Sequence, residues 1–336
     1  MNLKQWSWFR PIMLISPFFL WGTAMVAMKS VMPQTTPLFL AAVRILPAGL
    51  LILLVALLSG RSFQTSWRGW GWVILFTLVD GCMFQGFLGE GLARTGAGLG
   101  SVMIDSQPLA VAIFSRWLFQ EEIGGWGWFG LFIGIIGISL IGLPDQWIYS
   151  ALGGDFSFFV TWQTLFKNGE WLMLLASLSM AAGTVMIPFI SRHIDTVVAT
   201  GWHLFLAGLI LLLLSLQFES SQWLNLDFFA WLSLSYAAVF GSAIAYGTFF
   251  FLASRGNLTS LSALTFLTPV FALTFGNLLL GEKLSNLQWQ GVCLTLFSIY
   301  IINQREKIPQ IISVKLPPPF PSLLRGRWRL EKDSNE

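Results

Sequence analysis

Charge is what this chain has least of. Of its 336 residues only 10% are Asp, Glu, Lys or Arg, against about 25% in ordinary soluble domains, so a soluble globular fold is excluded at the outset. The formal net charge is only +3, with the basic residues gathered at the ends of apolar stretches and in the C-terminal segment. That leaves no basic face for nucleic acid. Cys82 and Cys293, the two cysteines, lie inside apolar runs without metal-ligand or redox spacing and read as small core residues. His193 and His203 are the two imidazoles, and the chain lacks H-E-x-x-H and G-x-x-x-x-G-K-[ST]. An enzyme, a metal site and a cofactor are therefore not expected. The first apolar run follows Lys4 and Arg10, is broken by "WGT" and has no A-x-A cleavage site, so it reads as a first helix and not as a secretory signal.

What is abundant is apolar surface: 55% of the residues are hydrophobic. A helix needs about 20 mostly apolar residues to cross a bilayer. Ten such stretches follow one another, at 11–32, 37–58, 69–93, 98–119, 125–143, 170–190, 196–216, 229–252, 259–280 and 285–303. The expected fold is thus an all-α integral membrane protein. With the N-terminus inside, thirteen basic residues fall on the cytoplasmic side and four, Lys29, Arg94, Lys167 and Lys283, on the other. This asymmetry places both termini in the cytoplasm.

Residues 1–10 form a short cytoplasmic N-terminus, and two sets of five helices, 11–143 and 169–303, are separated by an external aromatic connector at 144–168. That connector reads as an interfacial stretch held by its Trp and Phe rings. The basic, Pro-rich tail at 304–336 is expected to be disordered and to touch anionic lipid. The two sets match. A shift of 161 carries Gly22-Thr23 onto Gly183-Thr184, Pro108 onto Pro269, Glu121 onto Glu282 and Gly130 onto Gly291, and a shift of 159 carries Arg44 onto His203 and Gly49 onto Gly208. Because five is odd, the second set must enter the membrane from the opposite side, giving an inverted repeat of the kind found in alternating-access transporters.

The stretches "WGTAMVAMKSVMPQTTPLFLAAVRILPAG", "GLARTGAGLGSVMIDSQPLAVAIFSRWLFQEEI" and "ASRGNLTSLSALTFLTPVFALTFGNLLLGEKLS" resemble the EamA family of the drug/metabolite transporter superfamily. The resemblance covers both repeats, over about 12–303. It implies a ten-helix inner-membrane carrier, and several such carriers export amino acids or related small metabolites. The chain departs from the family at Asp105, where a small or apolar residue usually precedes the proline of the fourth helix.

Asp105 matters because an aspartate at the centre of a membrane helix costs about 2.5–3.5 kcal/mol on insertion scales. On the fourth stretch Ser101, Asp105, Pro108, Ala112 and Ser115 share one small, polar face, and Ser262, Phe266, Pro269 and Gly276 form the matching face of the ninth. Pro108 and Pro269 are hinge candidates, with a static packing kink as the alternative for each. Arg44 and Asp105 lie at similar depth and are expected to pair, as a substrate site or as a purely structural pair. Lys29 and Glu90 form a shallower layer whose simplest reading is snorkelling. Asp80 is a further candidate, or else the hydrogen-bonded partner of a neighbouring helix. His203 is a candidate proton carrier, with a bond to a carbonyl as the commoner role. Trp21, Tyr246 and Phe266 are candidate stacking surfaces for an organic substrate.

These readings converge on a secondary carrier for a small polar or zwitterionic metabolite, with export as the expected direction and a proton as the coupling ion considered. Two alternatives stay open: a carrier or exchanger of an anionic phosphorylated or nucleotide-linked metabolite, and a channel. Membrane lipid is the other expected partner, and monomer and homodimer are both compatible with the sequence.

Overall fold

The computed structural model describes residues 9–94, 104–143, 145–154, 169–280 and 285–306. Lys4, Ser101, Lys167, Glu282, Lys283, most of the connector and nearly all of the tail lie outside these residues.

Every regular element among the described residues is helical. In chain order they are α1 (Phe9–Val31), α2 (Pro37–Leu58), α3 (Trp67–Arg94), α4 (Gln107–Phe119), α5 (Gly124–Gly142), α6 (Asp145–Leu152), α7 (Glu170–Ile190), α8 (Thr196–Phe218), α9 (Phe228–Ala253), α10 (Leu258–Ala263), α11 (Leu267–Leu280) and α12 (Asn286–Gln304). Among the described residues seven helices are long and apolar enough to cross a membrane. Large apolar side chains such as Leu54, Leu58, Leu213, Phe229 and Phe297 are exposed on the outside of the bundle. Exposed apolar surface on this scale suits lipid and not water. The chain is therefore a multi-pass membrane protein.

Short polar residues start the helices where the sequence leaves orphan N–H groups. Asp195 accepts from Val197 N and Val198 N at the start of α8, and Asp227 from Ala230 N at the start of α9. Ser285 and Gln288 form a capping box on α12. At the start of α2 the cap comes from far away: Glu219, just past α8, accepts from Leu38 N, Phe39 N and the Thr36 hydroxyl. Arg61, just past α2, in turn meets the α8 cap Asp195 at 2.8 Å. The α2–α8 pair is thus tied at both ends.

Between the ties α2 and α8 pack on glycines. A Cβ added to Gly49 would stand 2.3 Å from Phe205 N, and one on Gly208 would stand 2.5 Å from Leu46 Cβ. Only a missing side chain allows backbones so close. The two contacts are reciprocal, since the shift of 159 carries Gly49 to Gly208 and Leu46 to Phe205. The α5–α12 pair behaves alike. Gly134 faces Ser298 and Gly137 faces Thr295, the shift being 161.

Two irregularities recur at matched positions. The middle of α3, Thr77–Phe84, and of α9, Val239–Ile244, are π-helical, a local widening often found at functional sites. The fourth and ninth apolar stretches are broken just before their prolines. Asp105 and Ser106 form a turn ahead of α4, and Leu264–Phe266 is a 3-10 turn ahead of α11. Proline has no N–H for the carbonyl four residues back, so Ile104 and Thr265 cannot receive the usual helical bond.

Candidate functional site

A cavity of about 90 Å³ lies where α1, α2, α3, α4, α7, α9 and α11 converge. That is room for several waters, each needing roughly 10–15 Å³ by the same measure. Arg44 and Asp105 both line it, together with the broken-helix residues Ile104 and Thr265. One side is aromatic: Trp21 and Tyr246 meet edge-on with ring centroids 5.1 Å apart. The opposite character comes from Met25, Met28 and Met180, which are soft and adaptable.

The expected ion pair between Arg44 and Asp105 is not formed. Among the described residues no ion pair involves either side chain. Arg44 instead donates through Nη2 to Gln85 Oε1, and Gln85 Nε2 donates to the Tyr246 hydroxyl at 2.8 Å. The reason lies in the helix registry: a neutral amide, and not the Asp105 carboxylate, stands beside the guanidinium. Gln85 and Tyr246 are carried onto each other by the shift of 161, so matched positions of the two halves touch directly. That shift is the signal by which Gln85, absent from the sequence candidates, was findable. The same shift relates Gln107 to Thr268, two further cavity residues that the sequence reading missed.

Several polar atoms of the wall lack a protein partner. Trp21 Nε1, Arg44 Nε, Gln107 Oε1 and the Thr268 hydroxyl are buried without a hydrogen bond, whereas Gln107 Nε2 is anchored on the Thr184 hydroxyl at 3.3 Å. Buried polar groups are normally satisfied, so atoms left open around a cavity favour a polar occupant. The site offers donors, one acceptor amide, one cation and one carboxylate within apolar and aromatic walls.

Phe266 does not belong to this site. It is wholly buried in the 3-10 turn, with Ala112 and Ile123, and its ring fills the space a side chain at Gly134 would take. The turn rotates it toward α5, away from the cavity. Asp80 and His203 are also elsewhere, and they find each other: His203 Nε2 lies 3.1 Å from Asp80 Oδ2, both side chains wholly buried. Gly183 makes the room for that carboxylate, since a Cβ there would stand 2.5 Å from Asp80 Oδ1. Thr77 bonds the Val73 carbonyl and not Asp80. Pro269 lines the cavity, and Pro108 is buried one residue past Gln107. Lys29 is exposed, and Glu90 pairs with Arg94 one turn on, so the shallower layer does not form.

The arrangement has parallels in known proteins. A family model described as the EamA-like transporter family matches twice, over residues 9–143 and 167–304. An uncharacterized transporter of Synechocystis sp. is 63% identical over 297 residues, covering 88% of this chain and 90% of that protein. A WAT1-related chloroplastic protein of Arabidopsis thaliana is 48% identical over 298 residues, covering 87% of this chain and 69% of that protein. An uncharacterized inner membrane transporter of Escherichia coli is 25% identical over 299 residues, covering 86% and 89%. Among solved structures, one crystal structure shares the fold with a TM-score of 0.73 at 17% identity, over 89% of this chain and 98% of that one.

Proposed function

Because this chain belongs to the EamA-like transporter family, we propose that it is a secondary carrier that exports a small zwitterionic or polar metabolite, such as an amino acid or derivative, across the bacterial inner membrane. The observation that carries this reading is the cavity with Arg44 and Asp105 both in its wall and, among the described residues, no ion pair on either. A zwitterion supplies the missing partner of each. Its apolar part meets Trp21, Tyr246 and the methionines, and its remaining polar atoms meet the open donors and acceptor.

The mechanism follows from two matched halves. The double family match, the reciprocal α2–α8 and α5–α12 contacts and the paired helix breaks support ten spans arranged as two inverted five-helix repeats. In this reading the repeats rock about the Gln85–Tyr246 contact, α4 and α11 flex at the turns before Pro108 and Pro269, and both termini are cytoplasmic. The helix breaks place loosened backbone where it borders a cavity, which is where a membrane tolerates it.

A second reading has one specific support. Among the described residues Arg44 faces the cavity without an acidic partner, as a carrier for an anionic phosphorylated metabolite would need. Asp105 in the same wall opposes it, and Lys29 is exposed and adds no second cation.

The test is a metabolite comparison of overexpressing and deletion cells, followed by flux of the compound that changes in liposomes holding the purified full chain. Saturable flux of a zwitterion is expected. Saturable flux of phosphorylated compounds alone would replace the reading with the anionic one, and unitary current steps would replace it with a channel.

A further inference from the structure

The Asp80–His203 pair lies outside the substrate cavity, and nothing in the transport scheme above uses it. Its place in the fold gives it a use. His203 is the counterpart of Arg44 under the shift of 159, and the counterpart of Asp80 under the shift of 161 is Gly241. One position of the fold is therefore built twice. In the first half it is a cation without a carboxylate beside a cavity. In the second it is an imidazole with a carboxylate, sealed from water.

The pair is tightly enclosed. The ring of Phe76 lies 4.0 Å from that of His203, and Phe250 closes another side at 5.6 Å. Gly183 abuts Asp80, and Gly81 lets α3 lie close against α8, since a Cβ there would stand 2.3 Å from the Ala207 Cβ. Yet the seal leaves polar atoms idle: Asp80 Oδ1 and His203 Nδ1 are both buried without a hydrogen-bond partner. A pair kept only to tie α3 to α8 has no need of two open atoms, and leaving buried polar atoms unbonded is unfavourable. The carboxylate also sits in the π-helical segment of α3, which is already loosened.

We infer that Asp80 and His203 form a proton-binding site, sealed in this state and opened to water in the opposite-facing state. The inference rests on the alternating-access reading. When inverted repeats rock, the half closed toward one side is the half that opens toward the other, so the sealed position of the second half becomes the one that borders water. With Nε2–H donating to Asp80 Oδ2, the open Nδ1 lone pair takes one proton from hydronium and later returns it to water. Only that N–H bond forms and breaks. The pair alternates between imidazole with carboxylate, net charge −1, and imidazolium with carboxylate, net charge zero.

Few other groups face the pair. Tyr246 on α9 is within electrostatic reach of Asp80, and Arg44 on α2 stands beyond it through Gln85. Cys82 is two residues along α3, α7 brings Gly183 with its one acidic residue, Glu170, at its far end, and α8 has no ionisable residue besides His203. One mobile proton on the pair is therefore the main charge change available there.

The experiment labels the full chain with ¹⁵N-histidine in liposomes and titrates it, with protons as the only probe. His193→Gln assigns the two imidazoles. The expected result is that His203 changes protonation within the range where the fold persists, and that Asp80→Asn removes the transition or moves it by at least about tenfold in proton concentration. Should Asp80→Asn not fold, Gly183→Ala, which crowds the carboxylate, is read the same way. A His203 that holds one protonation state throughout, or titrates identically without Asp80, overturns the inference. A chain that titrates but carries nothing in the flux experiment keeps the site and loses the carrier. A carrier whose His203 never titrates keeps transport and loses the site.

Discussion

Asp105 and Arg44 share a wall without sharing a bond, and this separates two roles that the sequence leaves entangled. Had they paired, removing one would strand the other as an uncompensated buried charge, and removing both would largely restore the protein. Arg44 leans on Gln85 instead, so each charge acts on its own. Asp105→Asn and Arg44→Gln, at wild-type expression, are each expected to lower kcat/KM in liposome flux by about tenfold or more, or roughly 1.4 kcal/mol. The double variant should be no better than the worse single variant. Rescue in the double variant would restore the structural pair and end the substrate role of both. The sequence did mark Asp105, Arg44, Trp21 and Tyr246, because charges and polar-tipped rings are conspicuous inside apolar stretches. It gave no comparable mark to Gln85, Gln107 or Thr268, whose neutral side chains acquire meaning only from where they point.

At the scale of single helices, Pro108 and Pro269 follow breaks and do not kink otherwise continuous helices. If the breaks flex during transport, Pro→Ala at either position restores a backbone bond across the turn and should slow turnover more than it changes KM. Equal turnover by both variants would leave them as packing devices. The glycine contacts support a stability prediction. Gly49→Ala or Gly208→Ala inserts a methyl against backbone, an overpacking worth about 1–3 kcal/mol, and should lower the melting temperature of the purified chain. Gly71→Ala, which meets nothing within 4 Å, is the control and should leave it unchanged or slightly higher. An equal fall in all three would mean that the α2–α8 contact is not the sensitive one. Most helix positions were legible because twenty-residue apolar runs are local, whereas the breaks ahead of Pro108 and Pro269 inside the fourth and ninth stretches were not. The π-helical segments were not, since a widened turn leaves no compositional trace.

For the whole molecule, the decisive quantity is where basic residues fall relative to the membrane. Thirteen against four favours an inward-facing N-terminus, and the ten spans proposed above would return the C-terminus to the same side. A reporter fused after Asn303 should behave as cytoplasmic, and one inserted near position 155 as external. Finding both on one side would remove the inverted repeat and with it the rocking mechanism. The reciprocal contacts of α2 with α8 and α5 with α12 require the two halves to stand in one fixed relation. That relation also makes Gln85 touch Tyr246.

The sequence by itself determined the class of molecule, a helical multi-pass membrane protein, and most of its helical stretches, since hydropathy is a property of the chain read in order. Only the tertiary structure decided what each buried polar group faces. Asp80 and His203 are 123 residues apart, Arg44 met an amide where a carboxylate was expected, and Phe266 turned from the cavity into the packing around Gly134. The physical reason is that periodicity fixes which side chains share a face of one helix, while their partners depend on the rotation and height at which distant helices meet. Glycines set that meeting by letting backbones touch, and the contacts appear only once both helices are in place.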